Sequence, residues 1–586
     1  MVNAATIRGA VDMPDEPIDV RKWFIDQPDP PEHTYELALV LGGTVSAGCY
    51  TAGALDFLIE ALDTWSAAKD RNDPRAPTHK LAIRVIAGTS GGGVNAAIAA
   101  RALAFRFPPV TRGTSPSLAV TGNPFYDTWV NRIRLDDLLD ISDLRMGKLH
   151  SVLNGAPLEN AAHGIVSFTG ALARRSYIGV PSRQEPLRVI LTFTNLQGVP
   201  YRTTFQDTFG EAFVDHADYA RFAFAYPDAP VPVLRPDEFA VGFDAGTPGR
   251  QRLANEIDWD SFSYFALATS AFPVGFPPRQ LARPTEHYRY RVASPPPDET
   301  GSSKIQAIEP DWEMLFGAGN PRPANYQFLA VDGGATDNEP IGLARTALCG
   351  VAKRNPRDPQ KANRGVLLID PFAGEPGIAA PAPDDLLSVT SGVLNSLTQQ
   401  TRYATSDLVL ALDPDVFSRF MISAQRDGLV GSKAIATGGL GAFIGFASRA
   451  FMRHDYLLGR ANCQALLAGS LLLNPENPVM QGCWTEDALK LNSVQRNGQQ
   501  YVRLIPLLDD VAVPESLDPW PKGALDPSIY KSAIEQRWKS ILSAELRGLS
   551  WGKLLAWLGG LFSEGQVADF VIEKMEDALK DWGLAG

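Results

Sequence analysis

Short apolar runs alternate with longer amphipathic stretches along the first two thirds of the chain, a pattern of strands exchanged for helices. Leu37-Ala38-Leu39-Val40-Leu41 reads as a buried strand. The stretch after it, to about Ala68, carries Leu55, Leu58, Ile59 and Leu62 on one helical face. Leu81 to Ala87 is a second strand, rich in β-branched residues, and the small, alanine-rich segment to Ala100 predicts a helix packed tightly on a sheet. Pro186 to Asn195 predicts a strand, with Tyr201 to Phe205 as another. Phe262 to Pro278 predicts a short buried helix ended by its prolines. Phe328 to Val331 and Gly365 to Asp370 complete the pattern. Strands and helices in this alternation imply an α/β fold with a mostly parallel central sheet covered on both faces.

Residues 1–34 are acidic and proline-rich and read as an arm outside the core. The α/β domain is expected over 35–472, with insertions at about 108–180, 207–260 and 281–325. The span from Asp207 to Trp259 is acidic and reads as irregular. Beyond Leu473 the pattern turns helical with loops, so 473–586 is expected to be a mainly helical extension.

The 586 residues suffice for a large core, and 45% hydrophobic with 20% charged residues describes an ordinary soluble globular protein. A formal net charge of −12 argues against a nucleic-acid partner and against whole-surface attraction to anionic lipids. The four cysteines, Cys49, Cys349, Cys463 and Cys483, are too scattered for a disulfide framework or a zinc site, so they are expected as buried thiols. The N-terminus lacks a secretory pattern, and no run approaches the ~20 apolar residues of a spanning helix. A cytoplasmic protein is the default expectation.

Candidate chemistry begins at Gly88-Thr89-Ser90-Gly91-Gly92, a G-x-S-x-G between a predicted strand and a predicted helix. This is the context of a nucleophile elbow, a tight turn that small neighbours permit and that holds a serine oxygen above a sheet. Gly548-Leu549-Ser550-Trp551-Gly552 matches the same pattern without a preceding strand and with a tryptophan after the serine, so Ser550 reads as a loop or helix-end residue. Gly42-Gly43-Thr44-Val45-Ser46-Ala47-Gly48, between a strand and a helix, is a place where free backbone N–H groups favour negative charge. It matches neither nucleotide-binding glycine pattern. Asp332-Gly333-Gly334 ends another buried strand and presents a carboxylate at a tight turn.

A serine nucleophile needs a base. None of the seven histidines lies in a recognisable catalytic motif. Asp332 can take the proton directly if burial raises its proton affinity. The rival is an esterase or thioesterase with a triad of Ser90, Asp332 and His454, which follow the hydrolase order, although His454 lies in a segment with helical spacing. Asp337 and Asn338 lack calcium-loop spacing and read as bracing the turn, so no metal is expected. Trp551 to Phe562 is strongly apolar and reads either as core or subunit contact, or as a surface that touches lipid.

The glycine loop Gly42 to Gly48, the elbow Gly88 to Gly92, Ala271-Phe272-Pro273, and Asp332-Gly333-Gly334 with Asp337-Asn338 and Pro340 occur in one order over about Tyr35 to Leu348. Together they resemble the patatin-like phospholipase family, and Phe451 to Cys463 looks similar to its larger bacterial members. The resemblance implies an α-β-α sandwich and hydrolysis of acyl esters in phospholipids or lysophospholipids, without calcium or another cofactor. It also implies Ser90 and Asp332 as a catalytic dyad, Gly42, Gly43 and Thr44 as oxyanion hole, and Gly88, Gly92, Gly333 and Gly334 as motif glycines. Thr44 stands where the family usually has a third glycine, and no basic residue follows it. A catalytically weak membrane- or partner-binding protein is the reading that this departure leaves open.

Overall fold

The computed structural model describes residues 27–110, 114, 119–144, 149–203, 211–226, 231–243, 253, 255–289, 291–293, 306–350, 355–373, 416–545 and 564–586. Most of the N-terminal arm, Ser550 and the whole of Trp551–Phe562 lie outside these residues, so the expectations placed on them do too.

The chain enters the sheet at β1 (Thr34–Leu41) and continues through α1 (Gly48–Asp70), β2 (Lys80–Gly88), α2 (Gly91–Ala102) and α3 (Ala156–Val166). Then follow β3 (Leu187–Thr203), β4 (Glu211–Ala225), β5 (Glu238–Gly242), β6 (Glu256–Ile257) and α4 (Trp259–Thr269). Next come β7 (Arg279–Pro284), β8 (Asn325–Asp332), α5 (Ile341–Cys349), β9 (Arg364–Ile369), β10 (Arg419–Ile422) and α6 (Arg449–Gly469). The central sheet has the order β10-β9-β1-β2-β3-β4-β5-β6, with β8 paired to both β3 and β7. β10, β9, β1, β2 and β3 are mutually parallel, whereas β4 and β8 run antiparallel to β3.

Strand alternation decides the two faces. Leu37, Leu39 and Leu41 of β1 point into the large core shared with α1 and α2, while Ala38 and Val40 point into a smaller core under Ile341, Ala344 and Leu348 of α5. The result is the expected sandwich of helices on both sides of a mostly parallel sheet. α1, with its first turn from Val45, is long and apolar enough to cross a membrane by length and composition, yet 89% of that window is buried inside the protein. It packs on α6, with Gly53 against the Tyr456 carbonyl and Gly459 against the Tyr50 carbonyl, which lets the two backbones touch. Arg460 of α6 reaches across to Asp56 of α1 at 2.6 Å.

Several expectations need correction. The acidic span at 207–260 is not irregular: β4 and β5 within it extend the central sheet. Its charges hid the strands because they are paired across the sheet rather than solvated. Asp218 of β4 holds Arg283 of β7 at 2.6 Å, and Arg221 of β4 is ion-paired with Asp237 at 2.5 Å. In the same way, 281–325 supplies most of β7, which pairs with β8 in the sheet. Tyr201 to Thr203 is no separate strand but the end of β3, which has an irregularity between Thr194 and Val199, where Gly198 takes φ 71°; 204 and 205 lie outside the described residues.

The tail also carries strands beside its helices. Leu472–Leu473, Ser493–Arg496 and Gln499–Arg503 form a three-stranded antiparallel sheet, and Leu471 to Val511 contribute to the large core. A second core gathers around Tyr530, Ile534 of the helix Lys531–Glu545, and Ile572, Met575 and Leu579 of the helix Glu564–Asp581.

Candidate active site

One strand brings the two candidate residues together. β4 takes one edge of β3 along residues 187–194, so β2 and β8 must share the other edge. β2 runs up that edge and stops at Gly88, opposite Leu191, while β8 arrives from the opposite direction and stops at Asp332, opposite Phe193. Their carboxyl ends therefore meet two residues apart. The turn after β2 carries Ser90 and the end of β8 carries Asp332.

Ser90 is held at φ 56° and ψ −129°, a backbone conformation that costs free energy in any residue but glycine and that recurs at sharp nucleophile turns. The turn tolerates no bulk. A Cβ on Gly88 would stand 2.6 Å from the Gly92 carbonyl, and one on Gly92 would collide with the carbonyls of Leu41 and Gly42. Thr269 of α4 accepts the Ser90 N–H at 3.0 Å, and the Thr89 hydroxyl donates to the Asp337 carbonyl at 2.9 Å. On the other side, Thr194 donates to the Asp332 carbonyl at 2.9 Å, and the Gly333 backbone packs tightly on Thr192. These threonines, which sequence reasoning missed, lock the two turns to β3 and α4. They lie outside any motif, and only their places next to strand ends set them apart.

Ser90 Oγ donates to Asp332 Oδ2 at 2.6 Å, within a site where the two residues are 7% and 3% exposed. Gly334 donates its N–H to Asp332 Oδ1 at 2.8 Å. Burial pushes the Asp332 carboxyl up to about 6, while the hydrogen bonds from Ser90 and Gly334 act in the opposite direction. The arrangement is a serine hydroxyl already hydrogen-bonded to a carboxylate whose proton affinity is enhanced.

Ser90 and Gly91 open into an apolar pocket walled by Val94, Trp129, Ile133, Leu158, Ile165, Phe276 and Phe446. Trp129 comes from a π-helical turn, Asp127–Arg132, and is fixed by its indole N–H on Asn95 at 2.9 Å. Phe446 comes from the glycine-dense segment that precedes α6. That segment is tied to the glycine loop by the Ser46 hydroxyl, which donates to the Ala442 carbonyl.

Residues 39–345 match the family model described as patatin-like phospholipase, and this stretch contains the glycine loop, the elbow and Asp332. The chain belongs to the patatin-like phospholipase family. "Uncharacterized protein y4iI" of Sinorhizobium fredii (strain NBRC 101917 / NGR234) is 32% identical over 542 residues, which span 86% of this chain and 74% of that protein. The crystal structure of VipD from Legionella pneumophila aligns over 95% of this chain and 92% of its own at 12% identity. Its TM-score of 0.18 is too low for the likeness to carry any argument. Patatin-like proteins are generally acyl hydrolases of lipids.

Two expectations drawn from the patatin-like resemblance change with the geometry. Gly42 and Gly43 are not free oxyanion donors. Gly42 gives its N–H to the Ile369 carbonyl at 3.2 Å, and Gly43 gives its own to the Asn338 carbonyl at 3.3 Å. Both glycines instead serve close approach: a Cβ on Gly43 would strike the Asn338 side chain and stand 3.3 Å from Ser90 Cβ. Among the described residues, the N–H groups of Thr44 and of Gly91, the first residue of α2, have no acceptor. Gly91 follows the nucleophile directly, and the Thr44 side chain packs against Gly91. The first turn of a helix leaves such N–H groups unpaired by construction.

His454 does not join the site. It is buried in α6 with Nδ1 2.8 Å from Asp455 Oδ1 and its ring edge-on to Trp520. Asp455 in turn accepts the N–H groups of Ala436 and Thr437 at 2.9 and 2.8 Å, so the pair pins α6 to a neighbouring turn. Among the described residues no hydrogen bond joins His454 to Ser90 or Asp332. Asp337 and Asn338 brace the turn through their carbonyls, which accept from Thr89 and Gly43.

Proposed function

We propose that this patatin-like protein is a serine hydrolase of phospholipid or lysophospholipid acyl esters, working through a Ser90–Asp332 dyad and an acyl-enzyme. The observation that carries the reading is the 2.6 Å bond between Ser90 and a buried carboxylate at the mouth of an apolar pocket. The acyl chain lies in the pocket and places the ester carbonyl above Ser90. As Oγ attacks, its proton passes to Asp332 and the carbonyl electrons move onto oxygen, where the Thr44 and Gly91 N–H groups stabilise the charge. The intermediate collapses, the C–O bond to the leaving alcohol breaks, and the alcohol takes the proton from Asp332. Water repeats the sequence on the acyl-enzyme and releases the fatty acid. Buried thiols at Cys49, Cys349, Cys463 and Cys483 suit a reducing compartment, and the cytoplasm is the proposed place of action.

The test incubates wild-type protein and Ser90→Ala with micelles of defined phosphatidylcholine and lysophosphatidylcholine, and identifies released products by mass. Fatty acid release by the wild type and none by Ser90→Ala supports the reading. Release that survives in Ser90→Ala contradicts it.

A further inference from the structure

We propose that the Thr44 hydroxyl is itself an oxyanion donor, supplying the site with a side-chain O–H beside the backbone N–H groups of Thr44 and Gly91. The inference rests on the acyl-hydrolase reading above and deepens it.

Thr44 is 1% exposed, and its Oγ has no hydrogen-bond partner among the described residues. A buried hydroxyl without a partner is destabilising, because it leaves water and finds no replacement. Its position is informative. Oγ stands 2.4 Å from where a Cβ on Gly91 would be, a clash that glycine at 91 avoids. Gly91 follows the nucleophile and lines the pocket with it. The unpaired hydroxyl is therefore packed against the residue whose N–H is also unpaired, beside Ser90.

The donor inventory explains what the hydroxyl would add. Of the three N–H groups in Gly42-Gly43-Thr44, the first two are taken by the Ile369 and Asn338 carbonyls. One loop donor and Gly91 remain. An oxyanion accepts up to three hydrogen bonds, and a hydroxyl rotor that has no other acceptor turns to it without breaking a bond. The loop is also held in an unfavourable conformation directly after Thr44, where Val45 has φ 49°, so the backbone there is dictated by its surroundings. During acylation Thr44 keeps its proton. The Ser90 proton goes to Asp332, the Oγ–C bond forms, and the Thr44 O–H only stabilises the oxygen that gains the electron pair.

The experiment compares Thr44→Val, Thr44→Ser and Thr44→Ala on a soluble short-chain nitrophenyl ester, with fluorophosphonate labelling rate and melting temperature alongside. Thr44→Val keeps the shape and removes only the hydroxyl. It should lower kcat and the labelling rate by on the order of 10²-fold, with KM little changed and no loss of melting temperature. Thr44→Ser should exceed Thr44→Ala in kcat by a similar factor, a comparison that stands even if Thr44→Val does not fold. Full activity in folded Thr44→Val, or equal activity of Ser and Ala variants, overturns the proposal. Wild-type protein that shows neither Ser90-dependent hydrolysis nor labelling overturns the acyl-hydrolase reading itself.

Discussion

The N–H of Gly334 binds Oδ1 of Asp332 at 2.8 Å, and this leaves Oδ2 directed at the Ser90 hydroxyl, 2.6 Å away. The carboxylate is thus divided between a backbone donor that orients it and the hydroxyl that it is placed to deprotonate. Glycine at 334 is part of the device, since a Cβ there would stand 3.2 Å from Oδ1 and closer still to Asn338.

This division predicts how activity depends on pH. Burial holds the Asp332 carboxyl at about 6, above the usual carboxylate range. Only the ionised form accepts the serine proton, so kcat/KM should fall as pH drops through about 6 and level off above it. A profile of kcat/KM on a soluble ester, with circular dichroism showing folded protein at each pH, checks this. An acidic limb near 4, the ordinary carboxylate value, contradicts it.

The pocket predicts chain-length preference. Ala161 and Ala162 of α3 line it together with Leu158 and Ile165, and their small side chains leave room for an acyl chain. Ala162→Phe should fill that room. Each methylene denied burial is worth ~0.8 kcal/mol, so two or three of them shift the preference for long over short esters by on the order of 10–100-fold. Nitrophenyl esters of graded length read this directly, and an unchanged profile in the folded variant would place the acyl chain elsewhere.

Stability should also respond to acid. Burial pushes His79 and His287 down to about 3, so both are neutral in the fold. The unfolded chain binds protons there from about pH 6.5 downward while the folded chain does not, and stability is lost as pH falls from ~6.5 toward ~3. Asp332 acts oppositely, because a raised carboxyl favours the folded state as pH falls through about 6. Two imidazoles outweigh one carboxyl, so denaturant midpoints should fall between pH 7 and 5. His79→Gln should flatten that slope, and a slope unchanged in the variant would rule out this source.

What could be read ahead of the structure was local. Ser90 stood out because strand, glycine turn and helix occupy consecutive residues, and Asp332 because its two glycines follow a strand end. Their meeting was not readable, since it depends on β2 and β8 sharing one edge of β3, a matter of long-range pairing. The oxyanion donors were misplaced for a similar reason: Gly42 and Gly43 lose their N–H groups to Ile369 and Asn338, hundreds of residues away. β4 was missed because Asp218 and Arg221 look solvated until Arg283 and Asp237 are placed beside them. One missed feature had a clear local signal. Asn497-Gly498, both at positive φ, is the turn of the hairpin between Ser493–Arg496 and Gln499–Arg503.

The central claim, that Asp332 and not His454 is the base for Ser90, is tested most directly by kcat of Asp332→Asn beside kcat of His454→Ala. Asn keeps the size of the carboxylate but cannot take the proton, so Asp332→Asn should lose on the order of 10²–10⁴ in kcat. It should remain at least as stable as wild type at pH 8, where a buried charge has been removed. His454→Ala leaves Asp455 short of one partner and should be less stable by ~1–3 kcal/mol, with kcat within a few-fold of wild type. A folded His454→Ala that loses as much kcat as Ser90→Ala, beside an active Asp332→Asn, would contradict the dyad.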